Sequence, residues 1–125
     1  MPDEPAGQRL QLKPGQSVAL INCPRALQRT LLADVTPLRM VQDPSGADAV
    51  ICFVIRVAEL DEIASPFVEA ARRDALAWLA YPKGGKMGTD LNRDILGRTL
   101  TEKGIKPVRQ VAIDDIWSAL RFRPL

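Results

Sequence analysis

The chain has 125 residues, 46% of them hydrophobic, and its 17 basic and 15 acidic side chains leave a formal charge of +2. That length suits one domain, which buries roughly two-thirds of the surface its unfolded chain exposes. There is no histidine, so a Ser-His triad and a His-ligated zinc site are both excluded within one chain. Basic and acidic residues are scattered among each other, and no field that gathers nucleic acid or an anionic membrane is expected.

The first residues, "MPDEPAGQ", are acidic and rich in Pro and Gly where a secretory signal would be basic and then apolar. No run approaches the ~20 apolar residues of a membrane span. Cys23 and Cys52 sit in or beside apolar runs, which suits reduced thiols and a cytoplasmic setting. Residues 1–15 read as an N-terminal tail or edge segment ending in the turn Lys13-Pro14-Gly15, and 16–125 as a single domain.

Three nearly continuous apolar runs follow: "SVALIN" (Ser17 to Asn22), "AVICFVI" (Ala49 to Ile55) and "ALAWLAY" (Ala75 to Tyr81). Continuous apolarity over ~6 residues between turn signals predicts strands buried on both faces, as in a parallel sheet. Between the first two, Pro24 opens a short helix with Ala26, Leu27, Thr30 and Leu31 on one face, and Pro37 to Val41 reads as a weaker strand. From Arg56 to Arg73 the pattern is helical, with a break expected at Ser65-Pro66. A further helix is expected from Asp90 to Lys103, with Leu91, Ile95, Thr99 and Leu100 on one face, Thr89 as its N-cap and Gly104 as its left-handed terminus. The runs "PVRQVAI" and "IWSALRF" are separated by Asp114-Asp115, which predicts an antiparallel hairpin pairing Ala112 with Trp117, Val111 with Ser118, Gln110 with Ala119 and Arg109 with Leu120.

This order defines a small open Rossmann-like three-layer α/β sandwich, a mostly parallel sheet ending in an antiparallel hairpin. One link strains the rule. Val41 to Asp48 is shorter than a normal parallel crossover, so the second strand must be very short or lie poorly formed at an edge.

The segments "LAWLAYPK", "TDLNRDI" and "KPVRQVAIDDIWSALRFRP" resemble an uncharacterised family of short bacterial proteins, closely over Leu76 to Pro124 and more loosely before it. The resemblance implies a Rossmann-like fold and no particular substrate, cofactor or catalytic residue. The hairpin ending also resembles that of methyltransferase-type Rossmann sheets, an analogy of fold that carries no chemistry.

The stretch "YPKGGKMGTDLNRD" invites comparison with a phosphate loop. Aligned on Gly85-Lys86, a P-loop needs glycine where Ala80 stands and a hydroxyl where Met87 stands, so it fails at both. What remains is a glycine-rich loop with Lys83 and Lys86, then a helix start near Thr89 and Asp90, against the simpler reading of a surface connection with a cap. After the first strand the turn Asn22-Cys23-Pro24-Arg25 lacks the glycines that let backbone approach a pyrophosphate. Cys23 beside Arg25 could be a stabilised thiolate, but a small residue at a tight turn fits better. Asp114-Asp115 reads as turn chemistry rather than a carboxylate dyad. Trp78 reads as core, and Trp117 is open between core and a partner-facing anchor.

With no cofactor, metal or catalytic residue assigned, the chain reads as a non-enzymatic binding or interaction module, whose partner is another protein or a second copy of itself. The alternative is a binder of a small anionic ligand, or a modest enzyme, with its site over the strand C-termini at Asn22, Lys83, Lys86 and Thr89. Neither nucleic acid nor membrane is expected as a partner.

Overall fold

A computed structural model describes residues 6–32 and 37–125. The strands are β1 (Ser17–Ile21), β2 (Arg39–Met40), β3 (Ala49–Phe53), β4 (Leu76–Pro82), β5 (Ile105–Ala112) and β6 (Trp117–Pro124). The helices are α1 (Ala6–Arg9), α2 (Arg25–Leu32), α3 (Leu60–Arg72) and α4 (Arg93–Thr101). One six-stranded sheet runs in the order β2-β1-β3-β4-β6-β5. Its first four strands are parallel, and β6 is antiparallel to both β4 and β5.

Each face of the sheet carries its own apolar cluster. On one side Leu60, Phe67, Ala70 and Ala71 of α3 and Leu96 and Leu100 of α4 meet Val50, Cys52, Leu79, Leu120 and Phe122. Phe67 and Phe122 meet edge to face, with centroids 5.6 Å apart, an arrangement favoured by the ring quadrupole. On the other side Leu27 and Leu31 of α2 join Ile51, Phe53, Trp78, Ala80 and Trp117.

The predicted strands fall where the apolar runs do, and the short second strand explains the strained link. β2 has two residues and pairs only with Ser17 and Val18 at the start of β1. It climbs so little of the sheet that no helix is needed to return the chain to the start of β3. There Ser17 N donates to Asp48 Oδ2 at 2.9 Å and Asp48 N donates to Ser17 Oγ at 2.9 Å, satisfying a buried hydroxyl.

Four expectations change. First, the folded body does not wait for Gln16: Leu10 and Leu12 are buried, and Trp78 Nε1 donates to Leu10 O at 2.8 Å. A buried indole N–H needs an acceptor, and this segment supplies it. Second, α3 runs without a break through Pro66. Proline forgoes one backbone bond and costs about 3 kcal/mol inside a helix, but Leu60, Phe67 and Ala71 stand at helical spacing in one buried stripe that a break would split.

Third, α4 begins at Arg93 with Asn92 as its cap, Asn92 Oδ1 accepting from Ile95 N at 2.8 Å; its buried residues are Leu96 and Leu100. Gly104 at φ +93° does close that helix end. Fourth, the hairpin register is one residue longer than a two-residue turn gives, with Ala112 opposite Ser118, Val111 opposite Ala119, Gln110 opposite Leu120 and Arg109 opposite Arg121. Asp114 Oδ1 accepts from Ile116 N at 2.8 Å and Trp117 N at 2.7 Å, an Asx turn that widens the loop. A bulge at Val108 then shifts the register, so that Pro107 faces Phe122.

Candidate functional site

In an open α/β sheet the C-terminal ends of the parallel strands are where loops converge, and strand order reverses between β1 and β3. At the end of β1 Asn22 takes φ +59°, a left-handed turn that asparagine tolerates. Cys23 and Pro24 follow, and Pro24 O accepts from Leu27 N and Gln28 N at 3.0 Å to start α2. Cys23 Sγ donates to Pro24 O at 3.4 Å, and burial pushes its thiol up to about 11, opposite to the shift a reactive thiolate needs. Burial also raises Cys52, inside β3.

The loop after β4 forms a strap across the ends of β3, β4 and β6. At one end Lys83 N donates to Ile116 O at 2.8 Å, and Lys86 Nζ donates to Asp115 O at 2.9 Å, both at the tip of the β5–β6 hairpin. At the other, Thr89 Oγ1 donates to Ile55 O and accepts from Leu91 N at 3.1 Å, while Asp90 Oδ1 accepts from Val57 N at 2.8 Å. Glu59 Oε2 holds the facing turn by accepting from Ile55 N and Arg56 N. Between the anchors Gly84, Gly85, Met87 and Gly88 all have positive φ, which glycine adopts freely and methionine only under strain. Met87 is nonetheless 50% exposed.

Of the residues expected to gather over the strand ends, Lys83 and Thr89 line one cleft of about 500 Å³, together with Tyr81, Gly84, Gly85, Asn92, Arg93, Gln110 and Ser118. Lys86 is committed to the hairpin tip and does not line it. Nor does Asn22, which stands at the end of β1 with β3 between it and β4, roughly 10 Å of strand spacing away. Thr89 is a tie between loops rather than a helix cap. The floor of the cleft was not legible beforehand: Gln110 Nε2 donates to Tyr81 Oη at 3.2 Å and to Ser118 Oγ at 3.1 Å. Burial raises the Tyr81 phenol, opposed by the Ser118 hydrogen bond and by Arg93. Tyr81 and Ser118 come together because β4 and β6 place them opposite each other.

Three exposed apolar side chains surround the strap: Val57 beside the Asp90 anchor, Met87 on the strap, and Ile116 at the hairpin tip. Trp117 is not among them. It is core, 5% exposed, with Phe53 edge to face at 5.4 Å. Among the described residues no group of three or more His, Cys, Asp or Glu side chains could hold a metal, and no helix is long and apolar enough to cross a membrane.

No family model matches the chain, and no curated protein matches it significantly. Its fold is similar over 99% of its length to 69% of a protein of the NADB-Rossmann superfamily from Streptococcus agalactiae, with a TM-score of 0.50 and 8% identity. A protein-(glutamine-N5) methyltransferase specific for release factors, from Alicyclobacillus acidocaldarius, aligns over 98% of this chain and 94% of its own with a TM-score of 0.44 and 12% identity. The chain is thus a Rossmann-like α/β protein with an antiparallel β4-β6-β5 end. The turn after β1 lacks the glycines of a dinucleotide-binding fingerprint. Asn22 and Cys23 carry side chains where backbone must approach a pyrophosphate, and Pro24 has no N–H to offer.

Proposed function

We propose that the protein is a non-enzymatic interaction module that uses the Rossmann-like sheet as a rigid support and presents its strap and hairpin tip to a protein partner. The observation that carries this reading is Met87, a non-glycine residue at φ +57° whose side chain is half exposed. A strained backbone holding an apolar side chain in water favours neither stability nor solubility, and such residues concentrate at recognition sites. Anchors at both ends of the strap fix Met87 relative to Ile116 and Val57, which limits the ordering cost of an interface. Pairing through the sheet edges is disfavoured on both sides: β2 offers two residues, and β5 carries Pro107 and a bulge. The test is co-purification at native expression levels, comparing the parent with a Met87→Glu, Ile116→Glu double variant. The reading requires a partner that the variant loses while its melting temperature holds; identical associated proteins from both would refute it.

A second reading has its own support in the hydrogen-bonded Tyr81-Gln110-Ser118 floor, which shares its cleft with Lys83 and Arg93 and suits a small anionic ligand. In that case phosphate or sulfate raises the melting temperature at matched ionic strength, and Lys83→Ala with Arg93→Ala removes the increment. Equal increments in both proteins would eliminate the cleft as an anion site.

A further inference from the structure

The terminal hairpin places like charges directly opposite one another, twice, on one side of the sheet. Arg109 stands opposite Arg121, and Lys106 opposite Arg123, with the bulge between the two pairs. Arg121 also faces Trp78 across β4, and Val111 packs into the cluster under α2, so this is the side covered elsewhere by α1 and α2. Arg9 of α1 reaches the same hairpin, its Nη2 donating to Ile113 O at 3.0 Å. Lys106, Arg109 and Arg123 are exposed.

Like charges opposed across strands destabilise a sheet, so the ladder asks for a counter-charge. Among the described residues one carboxylate answers: Asp74 Oδ1 and Oδ2 accept from Arg123 Nε and Nη2 at 2.9 and 2.8 Å. Arg121 hydrogen-bonds the neutral amide of Gln11, at 2.9 Å, and shares the charge of Asp74 with Arg123 only at longer range. The side chains of Lys106 and Arg109 make no hydrogen bond or ion pair with the described residues.

We propose that this side of the β5–β6 hairpin docks an extended acidic segment of a partner protein, with carboxylates on alternate residues. Successive rungs of the ladder, as at Arg121 and Arg123, are about 6.7 Å apart, the rise of two strand residues. An extended peptide repeats its own side chains at that interval. Three of the four cations are arginine, whose fork binds carboxylate in two-point fashion, and the Arg123–Asp74 pair is that geometry already made. Nucleic acid suits the ladder less well. Asp74 places a negative charge inside it, and all six aromatic side chains are buried, leaving no platform on which bases could stack. The surface is distinct from the strap, and its test leaves Met87 and Ile116 untouched.

The experiment is fluorescence polarisation with a labelled peptide of alternating Glu and Thr. Its controls are a peptide of the same composition with its Glu residues in one block, a Gln-for-Glu peptide, and single-stranded DNA of matched charge. The parent binds the alternating peptide best, and Lys106→Gln with Arg109→Gln weakens it at least about tenfold by removing two charge-assisted contacts. Asp74→Asn, which frees Arg123, tightens it. The double variant melts no lower than the parent, so the loss is not unfolding. Absence of binding to the parent, equal affinity of parent and double variant, equal binding of the block peptide, or tighter binding of DNA would overturn the proposal.

Discussion

In β4 all seven residues from Leu76 to Pro82 are buried, whereas in β5 only Ile105 is. The two strands flank β6 in one sheet, so the difference lies in what covers them rather than in backbone pairing. β4 has helices or the N-terminal segment on both faces, and its residues are set by packing. β5 is an edge with water on much of its surface, and there the side chains include two that face like charges across the ladder. Where burial decides, each residue can be explained by stability; where it does not, residues that oppose stability mark a different requirement.

That contrast breaks first at Trp78. Trp78→Ala should cost about 3–5 kcal/mol as an aromatic core deletion, and it also strands the carbonyl of Leu10. Urea unfolding measures the loss, and a value near zero would remove β4 as the centre of the core. Next come the ties of the strap: Thr89→Val, which removes a hydroxyl serving Ile55 O and Leu91 N, should cost about 1–3 kcal/mol, and Asn92→Ala about 1 kcal/mol as a lost N-cap. If Thr89→Val is silent while Asn92→Ala is not, the strap is not held as described. Across the sheet the sign reverses. Arg109→Thr should stabilise by about 0.2–1 kcal/mol, because it relieves a directly opposed like charge.

The smallest effects are titrations. The Arg123 hydrogen bond, then its charge, holds Asp74 below the usual carboxylate range despite some desolvation. The pair's contribution is therefore present above the ordinary aspartate range and is lost as pH falls through the lowered folded value. Melting curves of the parent and Asp74→Asn should accordingly converge in acid. At the other extreme Cys23, raised from 9.0 to about 11, should label slowly at neutral pH and speed up only as pH climbs towards that value. Rapid labelling below pH 7 would restore the thiolate.

The strands were legible because continuous apolar runs admit few other uses, and Trp78 followed from its place in one of them. The N-terminal segment was not: Leu10 and Leu12 stand among Gln, Arg and Lys, too few apolar positions to show a period. Pro66 misled because local chemistry signals a break while the buried stripe on both sides of it overrides that signal. The hairpin register turned on whether Asp114 and Asp115 form the whole turn or only part of it, and that one residue hid the basic ladder. In the shorter register Arg109 shares a face with Leu120, and the cations divide between two sides of the sheet. Likewise the Tyr81-Gln110-Ser118 floor depends on register and not on any spacing along the chain.

On the proposed reading the exposed end of the molecule is shaped for a partner at some expense of stability, and Met87→Gly measures both sides of that exchange in one protein. Glycine relieves the left-handed backbone, which costs an L-residue roughly 1–2 kcal/mol, and it removes the exposed side chain. The expected result is a higher melting temperature together with a weakened hold on the co-purifying partner. A lower melting temperature, or a partner retained as firmly as by the parent, would contradict it.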